Sequence, residues 1–68
     1  MGRKHTVRHR ARRKLEQCAK LCDVINSHLS DIAPHYQETE KERYEAMLEI
    51  GRIIEAARQL LIDLREIL

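Results

Sequence analysis

One proline, Pro34, stands near the middle of 68 residues, and on both sides of it apolar residues recur at helical spacing. Proline disfavours helical geometry at the residue before it and lacks a backbone N–H, so it breaks a helix at Ala33. It is tolerated in the first turn of a following helix. The expected fold is therefore all-α: two antiparallel helices joined by a short turn, a helical hairpin.

Upstream of Pro34, Leu15, Cys18, Cys22, Ile25, Leu29 and Ile32 follow a 3-4-3-4 spacing, the a/d seam of a packed helix. Val7 and Ala11 carry the stripe backwards. The pattern predicts helix 1 over about 15–32, reaching back as far as Thr6, an available N-cap. The turn is expected at about 33–35 and helix 2 over about 36–68. Thr39, with Glu42 three residues on, reads as a capping box and a second start signal for helix 2. Two stripes overlap in helix 2. Met47, Ile50, Ile54, Ala57, Leu61, Leu64 and Leu68 form one; Ala46, Ile50, Ile53, Ala57, Leu60, Leu64 and Ile67 form the other. Together they are wider than one partner helix can cover. Gly51 costs helix 2 ~1 kcal/mol relative to alanine, which a close crossing or a slight bend would explain.

Folding symmetrically about Pro34 sets residues 53–67 beside residues 1–15, the most apolar stretch beside the most basic. Val7, Ala11 and Leu15 cannot cover the helix 2 face from Ile53 to Leu68, so a further helix must. Two hairpins closing a dimeric four-helix bundle, or a coiled-coil-like oligomer, are the simplest solution. Another protein's helix would serve equally. The expected interface is Leu15, Cys18, Cys22, Ile25, Leu29, Met47, Ile50, Ile54, Ala57, Leu61, Leu64 and Leu68. Length argues the same way, because chains this short are marginal alone, and this one has no Trp or Phe to enlarge a core. In topology and length alone, with no shared motif, such a hairpin resembles the small dimeric helical-hairpin regulators of plasmid copy control, which bind RNA. A shared fold does not by itself carry that function over.

Charge divides the chain differently. Arg3, Lys4, Arg8, Arg10, Arg12, Arg13 and Lys14 give residues 1–14 seven positive charges and no acid. His5 and His9 can add to them at lower pH. The remaining six basic residues face all eleven acids, so the body sums to −5. A basic arm on an acidic body points to a polyanion, because clustered cations bind phosphates by releasing counterions. Arginine suits phosphate through its planar fork. Cations at a helix start oppose the helix dipole, so local stability does not select them, and a bound phosphate reverses the penalty. The arm, 1–14, is expected to be flexible or a frayed helix that orders on binding. The seven cations are the candidate nucleic-acid contacts. A solubilising tail or a nuclear-localisation-like address accounts for the same charges. A membrane-surface anchor lacks Trp, Phe or Leu in the arm to insert. No aromatic interleaves the charges, so base stacking is not indicated.

Nothing else carries chemistry. Cys18 and Cys22 lie four apart on one helix face, a poor framework for a disulfide, and read as small seam hydrophobes. His28, His35 and the row Glu38, Glu42, Glu45, Glu49 lack the inward Glu-x-x-His order of helical di-metal sites and read as a solvated face. No metal, cofactor or small-molecule substrate is expected. There is no Gly-rich phosphate loop and no nucleophile with an evident base, so no enzyme either. With no apolar run of ~18 residues and no secretory pattern, the expectation is an intracellular protein, cytoplasmic or nuclear. It would be an oligomerisation module that binds nucleic acid through its arm. The alternative is an adaptor subunit docking through the apolar face of helix 2.

Overall fold

The structure, a computed structural model, describes the backbone from Gly2 to Leu68 and the side chains from Val7 onward. It is all-α and contains two helices: α1 (Gly2–Ile32) and α2 (Lys41–Ile67). They pack antiparallel as a rod 59 × 16 × 11 Å. Among the described residues no helix is long and apolar enough to cross a membrane.

The connection is longer than the proline alone suggests. Pro34 opens a single 3-10 turn over Ala33–Tyr36, and the chain does not resume α-helix until Lys41. The amide of Gln37 donates to the Pro34 carbonyl at 3.4 Å, and that of Glu40 to the Tyr36 carbonyl at 3.1 Å. The expected capping box does not form. The Thr39 hydroxyl donates backwards to the His35 carbonyl at 3.4 Å. Glu40 occupies the cap position of α2 without a capping side-chain bond, its carboxylate turned to Arg43 at 3.2 Å. At the other end α1 begins at Gly2, four residues before Thr6, and its backbone runs unbroken through residue 15 to Ile32.

The longer connection moves the register. Glu16 pairs with Arg65, Asp23 with Arg58, and Asn26 with Glu55. Each step of seven or three residues along α1 is matched by an equal step back along α2. Residues 53–67 therefore lie beside the middle of α1, not beside residues 1–15 as a symmetric fold about Pro34 requires. Gly2–Arg10 project past the end of α2 as about 14 Å of unaccompanied helix, at 1.5 Å per residue.

Little is buried between the two helices. The seam on α1 is Ala11, Leu15, Ala19, Cys22, Asn26, Leu29 and Ala33; on α2 it is Met47, Gly51, Ile54, Arg58, Leu61 and Arg65. Among the described residues only Cys22 and Ala33 are buried, at 8% and 7% exposure, and no large side chain is fully enclosed. The seam of α1 follows heptad spacing, but one row over from the sequence expectation. Leu15, Cys22 and Leu29 are in it; Cys18, Ile25 and Ile32 are exposed. Small residues at 11, 19, 22 and 33 allow the helices to pack without a bulky core.

Candidate nucleic-acid interface and the open apolar face

The N-terminal part of α1, from the projecting segment to Gln17, carries the first candidate site. Arg8, Arg10, Arg12, Arg13 and Lys14 are all exposed. None of them enters an ion pair among the described residues, whose cross-helix pairs begin at Glu16. The first turn of α1 contains no acid and its last turn no base, the reverse of what the helix dipole favours. Spacings of three and four residues gather His9, Arg10, Arg13, Lys14 and Gln17 around one shallow recess on the side of α1 facing away from α2. Three permanent cations, an imidazole and an amide line it, donors suited to phosphate oxygens. Arg12 and Arg8 lie round the helix, so the cationic surface wraps the arm and does not form a single stripe. Arg3 and Lys4 lie outside the residues whose side chains are described.

The second candidate is the apolar face. Successive helical residues advance by about 100°, so each helix surface can be unrolled from its numbering. On α1, Val7, Leu21, Ile25 and Ile32 centre roughly 100° behind the seam. On α2, Ile50, Ile53, Leu60, Leu64 and Ile67 are displaced by a similar angle in the same rotational sense. In an antiparallel pair, equal rotational sense puts both stripes on the same broad side of the hairpin. Their exposures are large: Leu60 is 68% exposed and Ile67 81%. Cys18 lies at the edge between this face and the seam. The opposite side carries the polar contacts between the helices. There Arg65 Nε donates to Glu16 Oε1 at 2.7 Å, Arg58 Nε sits 2.7 Å from Asp23 Oδ1, and Asn26 Nδ2 donates to Glu55 Oε2 at 3.4 Å. The Arg58 contact is an ion pair whose N–H is not aligned on the carboxylate, since Nε lacks a hydrogen bond.

The twelve residues expected at the interface therefore divide. Leu15, Cys22, Leu29, Met47, Ile54 and Leu61 are spent on the hairpin's own seam, with Ala57 half-buried at its margin. Cys18, Ile25, Ile50, Leu64 and Leu68 are exposed. Leu21 is the residue that seam reasoning missed: it is off the a/d rows and 60% exposed. Its sequence signal is the row Cys18, Leu21, Ile25 and Ile32, which keeps heptad spacing beside the first. Both cysteines are free. Among the described residues no three His, Cys, Asp or Glu side chains are grouped as a metal site would need. No family model, curated protein or solved structure matches this chain.

Proposed function

We propose that this chain is a small non-enzymatic helical module that binds nucleic acid through the phosphate backbone, using the basic N-terminal segment of α1. It works as an oligomer, a second hairpin closing a four-helix bundle over the apolar face. The observation that carries the reading is the projecting helix itself. Its exposed cations have no acid of their own segment to neutralise them, and it lies beyond α2, where the side of α1 turned away from α2 is open to a duplex. A solubilising tail would need the charges but not the helix extending past its partner. Binding is expected to be indifferent to base sequence, since no aromatic or amide array reads base edges. A nucleic-acid partner puts the protein inside the cell, in keeping with its two free thiols. The adaptor reading rests on the same apolar face, and solution mass separates the two.

The test is fluorescence anisotropy of labelled duplex RNA and DNA across a salt series. The full chain is compared with Arg10→Gln/Arg13→Gln/Lys14→Gln. The full chain should bind at low salt and weaken steeply as salt rises. Each phosphate contact the variant loses should flatten the log–log slope by ~0.9 on B-DNA. A variant with unchanged affinity and slope would show that the recess does not contact phosphate. No binding by the full chain at low salt would remove the nucleic-acid reading.

A further inference from the structure

We infer that the second copy lies inverted end to end, so that the basic arm of each chain covers the acidic turn of the other. The inference deepens the oligomer reading above and rests on it. The hairpin is polar along its length. At one end stands the arm, with seven cations by Lys14. At the other, residues 31–49 hold six acids and two bases. Glu38, Glu42 and Glu45 enter no ion pair among the described residues.

The apolar face offers a copy one shared stripe: its exposed residues run along α2 from Ile50 to Ile67, about 26 Å at 1.5 Å per residue, beside Val7, Leu21, Ile25 and Ile32 of α1. The middle of the face lies between Cys22 and Ile25. A two-fold axis there, perpendicular to the rod, sets Arg8–Lys14 of one chain level with residues 32–39 of the other. The projecting arm then spans the partner's connector, beside Asp31, Glu38 and Glu40. A two-fold axis along the rod also covers the apolar face, but it gathers both arms at one end and both acidic turns at the other. Like charges brought within about one Debye length, ~8 Å, repel. Inversion turns both repulsions into attractions. Arg13 points sideways, away from the apolar face, in either case, while Lys14 at the edge of the same recess turns toward the partner.

Zero-length carbodiimide cross-linking of the native chain, mixed as light and heavy isotopic forms, reads the arrangement directly. Within one copy, Lys14 and Glu38 are separated by about 36 Å of helix at 1.5 Å per residue, so they cannot be joined. Mixed-isotope cross-links from Lys14 to Asp31, Glu38 or Glu40 are the expected result. A dimer that yields none of them overturns the inversion. Spin labels at Gln37→Cys, in a Cys18→Ser/Cys22→Ala background, give a second readout: ~40 Å or more apart if inverted, under ~25 Å if parallel. A monomer by sedimentation, at concentrations where the chain is helical, removes the second copy as occupant. Each of these results is independent of whether duplex binds, so failure here is distinguishable from failure of the nucleic-acid reading.

Discussion

Gly51 looks from the sequence like a concession to close helix packing, and the structure gives that reading no support. A Cβ at this position would meet only the Asn26 Oδ1 atom, at 3.7 Å, an ordinary contact. Gly51→Ala should raise stability by about 0.5–1 kcal/mol through helix propensity alone, read as a higher midpoint in urea with unchanged slope. A lower midpoint would mean that the crossing is tighter than it stands. Asn26 is the complementary case. It occupies a seam position, its Nδ2 reaching Glu55, while its Oδ1 is buried without a donor. An unpartnered buried carbonyl costs about 1–3 kcal/mol, so Asn26→Leu should stabilise the hairpin. A single polar seam residue also fixes register, and the variant should lose some uniqueness, visible as broadened amide resonances. Stable and equally sharp spectra would deny Asn26 that register role. Neither effect was legible beforehand. Asn26 does not stand out among the polar residues of helix 1 until the seam is known to run through 19, 22 and 26.

At the level of the helices, sequence periodicity gave the number of elements, their antiparallel relation and the break at Pro34. It missed the offset. The heptad row through Cys18, Ile25 and Ile32 and the row through Ala19, Asn26 and Ala33 compete for the same partner. Hydrophobicity favours the first; the structure uses the second, where small side chains let the helices come close. The connector was underestimated because Pro34 reads as the first turn of helix 2; the second start signal, at Thr39, lies one residue from Glu40, where the chain turns into α2. From that follows the projection of Gly2–Arg10. Within one copy Arg8 and Arg10 make no cross-helix ion pair among the described residues, so deleting residues 1–10 from the monomeric chain should shift the thermal midpoint by only a few degrees. The same deletion should cost most of the affinity for duplex. A midpoint that collapses on deletion would mean that the arm packs on something. In the inverted dimer that something is the partner's turn, and the loss should then shrink at high salt.

For the whole molecule the decisive fact is how little one copy encloses. Leu60→Asp/Leu64→Asp acts on the open face and leaves the seam residues Ile54 and Leu61 in place. The doubly substituted chain should sediment as a monomer with reduced helicity. Retention of the parent mass would move the interface elsewhere. The basic arm and the apolar excess of helix 2 could be read from the sequence because each is a composition bias along the chain. Their placement, one beyond the end of α2 and the other spread over both helices on one side, depends on register, which no local pattern encodes.

With two buried side chains among the described residues, a copy by itself is expected to open readily. If its partner is its own kind, folding is a second-order event. Each tenfold dilution then withdraws about 1.4 kcal/mol from the closed state. Open backbone is what proteases cut. Survival in a cell would therefore scale with abundance: a scarce chain is cleared and a plentiful one persists, with no dedicated regulator. Proteolytic half-life measured over a dilution series would show it.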